Sequence, residues 1–371
     1  MITAIIPTYN RARLLLNALV ALRDQTPPDG GYKVIVVDDA SCDDTECVVR
    51  SFVAQHALHQ WQYLRQAKNS GKSGALNTAI CAASSPLIAF TDDDVVPCRD
   101  WLAAHAARHR RETGLVAAVG KISYPDDWIA RSNLIRYHNS RYLGHNRNTA
   151  CALRGMPLRP STFSGGNASV PRTALIEAGL FDLDLRRGQD CELGLRLHKT
   201  GMRLVYEPNA AVVHFAEAAW SYRSWLTVFQ KFYLECAPTV IEMHGDLYRK
   251  YCHWFVEPVQ PFRESLKSTL VKTLCRALAR PRLGKWLAQV METHDSNPLF
   301  YRPLVYEYIV LCAAIEAVNR RGKSARGPAL PLARDDAMRC GKSNSTRSES
   351  GPSARRDSRE NQSNIDGMPS S

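Results

Sequence analysis

Three consecutive carboxylates, Asp92, Asp93 and Asp94, follow the apolar run Leu87-Ile88-Ala89-Phe90 and precede Val95-Val96-Pro97. The pattern is that of a buried strand ending in negative charge. In extended backbone, side chains alternate, so Asp92 and Asp94 share one face while Asp93 points the other way. Two carboxylates about 7 Å apart repel by roughly 2 kcal/mol at an effective dielectric near 20. A hard divalent cation turns that repulsion into attraction and can then hold a phosphate. A solvated acidic turn is the commoner reading of a lone Asp pair, but the rest of the chain argues against it.

The elements that must position these groups alternate between strand and helix. Ile2 to Pro7, Lys33 to Val37, Gln62 to Arg65, Leu87 to Phe90 and Leu115 to Ile122 read as strands. Between them fall helical spacings: Leu15, Leu19 and Leu22 from about Arg11 with Asn10 as cap; Val48, Val49 and Phe52 behind Ser41 or Asp44; Leu76, Ile80 and Ala83 from near Ser73; and Trp101 to Arg111. Such alternation predicts an α/β fold on a parallel sheet. Asp38-Asp39 and Asp92 to Asp94 then both sit at carboxyl ends of strands, the edge where open sheets bind ligands.

Residues 124–162, rich in Arg, Asn and His, read as a loop or insertion over the site. Regularity returns at Ser164-Gly165-Gly166-Asn167 and lasts until Phe215. From 218 to 320 the chain reads as helical, with Trp220, Trp225, Phe229, Phe232 and Tyr233 at helix-like spacings. After Arg321, nine basic and six acidic residues among Ser, Gly and Pro predict a disordered tail. The expected organisation is therefore 1–217, 218–320 and 321–371.

The 371 residues are 45% apolar, enough for a substantial core, and carry a net charge of +12 that favours anionic partners. Nucleotide diphosphates, lipid headgroups and nucleic acid all qualify, and charge alone does not choose among them. Eleven cysteines without a C-x-x-C pair fit reduced thiols in a cytosolic protein. Met1 to Pro7 lacks a basic n-region and reads as a strand, not a signal peptide. No run reaches the ~18 apolar residues of a membrane span, and Tyr308 to Ile315, flanked by Glu307 and Glu316, reads as a packed helix. Arg263, Lys267, Lys272, Arg276, Arg280, Arg282 and Lys285 lie among Leu266, Leu270, Leu274 and Leu278, an amphipathic basic pattern. It suits either peripheral contact with anionic lipid or a solvated face.

Several motifs stand in one order: Pro7-Thr8-Tyr9-Asn10, Val36-Val37-Asp38-Asp39-Ala40-Ser41, Asn69-x-Gly71 with Ala75-x-Asn77, and Asp92-Asp93-Asp94. Gly165-Gly166-Asn167, Gly179-x-Phe181-Asp182 and Gly188-Gln189-Asp190-x-Glu192-Leu193-Gly194-x-Arg196 complete the series. Over about residues 1–216 the chain resembles the family 2 glycosyltransferases of GT-A fold. The resemblance implies a Rossmann-like nucleotide-diphospho-sugar transferase, here with a C-terminal helical extension. The implied reaction is inverting transfer of a sugar from a UDP- or dTDP-sugar to an unidentified acceptor hydroxyl, in cell-surface polysaccharide or glycoconjugate synthesis. The implied location is cytoplasmic, with peripheral contact at the inner face of a membrane, and no nucleic acid is expected.

By the same resemblance Asp39 accepts the N3–H of the base, which suits a carboxylate, while Thr8 and Tyr9 flank the base. Asp38 fits helix capping better. Asp92 and Asp94 are the implied metal ligands, with His214 as a third and Asp93 near the ribose; the cofactor is Mg²⁺ or Mn²⁺, an imidazole favouring Mn²⁺. For His214 a satisfied core histidine is the competing reading. Lys72, on a helix whose N-terminus faces the phosphates, is either their charge partner or a solvated side chain. Gly166 lets the backbone approach the sugar and Asn167 meets a sugar hydroxyl, unless the segment is simply a tight turn. Asp190 is the implied general base; Gln189 stands before it where the family commonly has Glu, removing a charge that would raise its pKa. Glu192 either orients the acceptor or forms a salt bridge. Trp220, Tyr222 and Trp225 stack on a saccharide, meet a membrane surface or pack in the core, core being favoured for at least one.

Asn69 to Gly74 is not a P-loop, because Gln66 stands where that motif needs glycine, and Asp336 rejects Gly341-Lys342-Ser343 in the same way. A nucleotidyltransferase would want a glycine- and arginine-rich loop after the first strand, where this chain has Thr8-Tyr9-Asn10-Arg11-Ala12. A catalytically silent basic protein binding membrane or nucleic acid has no use for Asp39, Asp92, Asp94 and Asp190 together.

Overall fold

The computed structural model describes residues 1–142, 145–215, 221–252, 254–260 and 264–324, all within one compact unit, Met1–Gly327. Its centre is an eight-stranded sheet: β1 (Ile2–Thr8), β2 (Tyr32–Asp38), β3 (Trp61–Arg65), β4 (Leu87–Thr91), β5 (Val95–Pro97), β6 (Val116–Ser123), β7 (Asn167–Pro171) and β8 (Arg203–His214). The spatial order is β3-β2-β1-β4-β7-β6-β8-β5. β1 pairs in parallel with both β2 and β4, and β2 with β3. β7 lies antiparallel between β4 and β6, β8 runs parallel to β6, and β5 runs antiparallel to β8. The sheet is thus α/β but mixed, not wholly parallel as expected, because β7 returns from a long excursion and not from a β–helix–β crossover.

Every residue of β1 is buried, as a strand covered on both faces requires. Ile5, Ile35, Val37 and Phe90 face α3 (Gly71–Ala82), while Ala4, Ile6, Val34 and Val36 face α1 (Ala12–Arg23) on the opposite side. α2 (Thr45–Gln55) and α4 (Trp101–Arg111) complete the second layer. Asn10 does not cap α1. It adopts left-handed backbone (φ 53°) and its side-chain oxygen accepts from the Cys42 amide, tying the loop after β1 to the loop after β2.

The stretch 124–162 is largely helical, not a loop: α5 (Asp126–Arg131), α6 (Asn133–Tyr137), a π-helical turn His138–Tyr142 and α7 (His145–Leu153). Leu134 and Tyr137 pack against Tyr222, Trp225, Phe229 and Tyr306, partners more than 80 residues away that no local pattern reveals. α8 (Arg172–Glu177) and α9 (Gln189–Lys199) precede β8. The helices α10 (Tyr222–Lys231), α11 (Ala237–Tyr251), α12 (Leu266–Leu278), α13 (Pro281–Thr293) and α14 (Pro303–Ser324) follow. They share a core with α9 through Leu185, Leu195, Tyr233, Val240 and Ile315. The expected boundary at 217 and Trp220 fall in 216–220, Arg263 in 261–263, and the expected disordered tail of 321–371 from 325 onward, all outside the described residues, whereas 321–324 are helical. Arg321 itself belongs to α14. Among the described residues no helix is long and apolar enough to cross a membrane.

Candidate active site

Because β1, β2 and β4 are parallel, their carboxyl ends share one edge, and Thr8 lies beside Asp38 in register. Thr8 does not flank an open base site. It is buried, and its hydroxyl donates to Asp93 Oδ2 at 2.9 Å. Arg11 donates from Nη1 to Asp93 Oδ1 at 3.0 Å and to Asp94 Oδ2 at 2.9 Å. Burial pushes Asp93 up to about 6 against the pull of Arg11 and Thr8, with Asp94 and Asp92 adding to the rise. Arg11 thus joins the acidic cluster without belonging to any of the sequence motifs; a cation directly after a strand that neighbours an acidic strand end is the signal that points to it. Tyr9 remains 44% exposed at the same edge, open to a ligand.

Asp92 pairs with Lys72 Nζ at 2.5 Å. Burial alone would lower the Lys72 pKa, but Asp92, Asp190 and Asp94 together raise it. One ammonium thus feels carboxylates from the end of β4 and from the first turn of α9, residues about a hundred positions apart. Burial pushes Asp190 above the usual carboxylate range, against the opposing pull of Lys72 and of the Gly165 amide. Its Oδ1 is buried without a hydrogen-bond partner, and so is Oε1 of the preceding Gln189. A buried carboxylate oxygen without a donor in the protein can accept from an incoming hydroxyl.

The glycines explain how the carboxylates come so close. A Cβ on Gly165 would stand 2.9 Å from Asp190 Oδ1, and one on Gly166 would stand 2.9 Å from Asp92 Oδ2. Gly166 therefore makes room for a carboxylate of the chain itself. Asn167 does not reach toward a sugar. It is fully buried, donates to the carbonyls of Lys121 and Ala210, both at 2.9 Å, and accepts from Trp101 Nε1 at 2.8 Å. His105 Nε2 lies 3.0 Å from the same Asn167 oxygen, and burial lowers that imidazole to about 3, so it is neutral. Asn167 is the peg that fixes the Gly-Gly turn.

Asp39 accepts from the Ser70 and Gly71 amides, each at 2.8 Å, and from the Ser70 hydroxyl at 3.2 Å. Its carboxylate thereby caps α3, where the helix dipole favours negative charge, and a carboxylate has about four lone-pair sites, so one remains on Oδ2. Replacing Asp39 by Ala removes all three bonds at the start of α3; the variant is expected to lose about 2 kcal/mol in urea unfolding, the upper range for loss of a helix cap. Asp38 caps no helix: it accepts from the Ser41 amide at 2.8 Å and from the Tyr63 hydroxyl at 2.6 Å, bracing the loop.

Asp94 Oδ1 stands 3.4 Å from His214 Nε2, and the imidazole stacks on Tyr124 with ring centroids 5.4 Å apart. β5 and β8 set this pair by opposing Val95 to His214. Among the described residues no group of three His, Cys, Asp or Glu forms a ready cation cage. The donor set nevertheless fits a divalent ion that brings phosphate and water ligands of its own, since Mg²⁺ takes only one or two carboxylates from a protein. A carboxylate and an imidazole are partly exposed, and Asp92 beside them already holds a cation in Lys72.

Glu192 takes the structural alternative. It is fully buried, accepts from Arg196 at 2.6 and 2.7 Å and lies 2.8 Å from His244 Nε2. Tyr222 and Trp225 are core residues, the Tyr222 hydroxyl donating to Asp295 Oδ1 at 2.9 Å. Asn77 exchanges two hydrogen bonds with the Phe181 backbone, at 2.8 and 2.9 Å, so two of the sequence motifs meet directly.

Residues 3–173 match a family model described as Glycosyl transferase family 2. Over these residues the chain is similar to glycosyltransferase family 2. A relative is the pre-mycofactocin glycosyltransferase of Mycobacterium tuberculosis, 29% identical over 248 residues that make up 66% of this chain and 48% of the relative. The chain thus spans about half the length of that protein. Among solved structures, the mannosyltransferase PcManGT from Pyrobaculum calidifontis, in complex with GDP-Man and Mn²⁺, superposes with a TM-score of 0.56 at 20% identity, covering 88% of each chain. GalNAc-T7 with UDP, GalNAc and Mn²⁺ gives 0.50 at 15% identity, covering 74% of this chain and 54% of that one. The fold of the chain is therefore GT-A, with helices appended at the C-terminal end.

Proposed function

We propose that the chain is an inverting glycosyltransferase that moves a sugar from a nucleoside-diphosphate donor, UDP- or dTDP-linked, to an acceptor hydroxyl. The observation that carries this reading is the convergence of Asp92, Asp94 and Asp190 on the Lys72 ammonium at the carboxyl edge of the sheet. Asp190 takes the hydroxyl proton while the acceptor oxygen attacks the anomeric carbon. The bond to the diphosphate then breaks on the opposite face, which inverts the configuration. Tyr9 and Asp39 hold the base, Asp93 meets the ribose, and Lys72 exchanges Asp92 for a phosphate. Asp92, Asp94 and His214 would hold Mg²⁺ or Mn²⁺, which supplies neutralisation of the departing diphosphate.

The relatives support this activity by family membership, and the solved neighbours carry nucleotide ligands and Mn²⁺ of their own. The acceptor belongs with cell-surface polysaccharide or glycoconjugate synthesis on the cytoplasmic side. The deciding experiment follows nucleoside diphosphate release from a panel of nucleotide sugars. Release is expected from a uracil or thymine donor, lost in EDTA and restored by Mn²⁺; equal release in EDTA would remove the metal from the mechanism.

A further inference from the structure

Helix α12 is turned inside out. Lys272 is buried, its ammonium paired with Glu264 at 2.9 Å and donating to the Pro258 carbonyl at 3.2 Å. Arg276 also faces the protein, donating to Asn319 Oδ1 at 2.7 Å and to the Val256 carbonyl at 3.2 Å. The solvent side instead carries Leu266, Leu270, Leu274 and Leu278, which are 86%, 67%, 56% and 57% exposed. Four residues per step on a helix of 3.6 residues per turn keeps them in one slowly drifting row. A helix ordinarily buries such a stripe and solvates its cations, so α12 requires an apolar contact that the described residues do not supply.

We propose that α12 lies in the headgroup layer of an anionic membrane, with its leucine row inserted. The charge pattern fits: from residue 264 to 290 the chain has six Lys or Arg and one acid, Glu264. Lys267, Arg280 and Arg282 are exposed around the ends of the row, where phosphate headgroups would meet them, while Lys285 is paired with Glu316 at 2.7 Å. Trp286, on the next helix, is 58% exposed and has the amphipathic ring typical of membrane interfaces. The row is one side chain wide, far short of the roughly 20–30 residues a stable protein interface takes from each side. An interfacial helix needs only that single stripe. Pairing two copies through it would also set like charges against each other.

The test is flotation of the full chain with vesicles of phosphatidylcholine alone or mixed with phosphatidylglycerol, an assay that involves no donor and stands apart from the transfer reaction. The protein is expected to float with the anionic vesicles only, less so as salt rises. L270S/L274S is expected to cut the bound fraction about tenfold or more, since each buried methylene counts, with an unchanged melting curve. K267E/R282E is expected to abolish the preference for anionic lipid. Absence of flotation, or flotation that L270S/L274S leaves intact, overturns the proposal. A dimer dissolved by L270S/L274S in sedimentation would assign the row to a second copy and overturn it equally.

Discussion

Asp190→Asn is expected to lower kcat by about 10²- to 10⁴-fold, the usual contribution of a general base, while donor affinity stays close to that of the parent. The reason is geometric. Asp190 lies near enough to the Lys72–Asp92 pair to raise the Lys72 pKa, and its Oδ1 is buried without a donor in the protein, free to accept from an acceptor hydroxyl. Single-turnover release and donor titration together check this; unchanged turnover would eliminate the assignment. Burial raises the Asp190 pKa, and the base must be ionised to work. The acidic limb of kcat/KM is therefore expected to lie above the ordinary Asp value of about 3.9. The sign for stability is opposite to that for activity. A carboxylate with a raised native pKa costs stability once pH rises through that pKa, so the Asn variant should melt above the parent at neutral pH.

Asn167→Ala should unfold the protein far more readily, by about 3–5 kcal/mol, with each buried partner left unsatisfied costing about 1–3 kcal/mol. The indole of Trp101, the imidazole of His105 and the carbonyls of Lys121 and Ala210 all lose their partner at once. Denaturant midpoints measure the loss, and Asn167→Asp should not repair it because a carboxylate cannot donate to the two carbonyls. A sugar-binding role would instead appear as a raised donor KM in a protein of normal stability.

Much of the sheet could be read before folding, because apolar runs ending in polar clusters carry both the strand and its direction. Asp39, Asp92 to Asp94 and Asp190 were legible for the same reason: each sits beside an element whose period is clear. Asn167 was not, since its partners are contributed by α4, β6 and β8 and lie 43–66 residues away in sequence. Helix α6 within 124–162 escaped because Leu134 and Tyr137 are covered by α10 and α14, so no continuous apolar face was needed. Lys272 looked like part of a solvated basic face, yet Glu264 and the Pro258 carbonyl draw it inward. Its inward turn leaves the leucines outside.

Helix α3 has a role beyond cladding the sheet. Its first amides rest on Asp39, its Lys72 holds Asp92, and its Asn77 stitches to Phe181 in the segment leading to Asp190. A single rigid rod therefore ties the end of β2, the end of β4 and the segment before Asp190 together. Under the proposed function, substitutions along that rod are expected to shift donor and acceptor preference together.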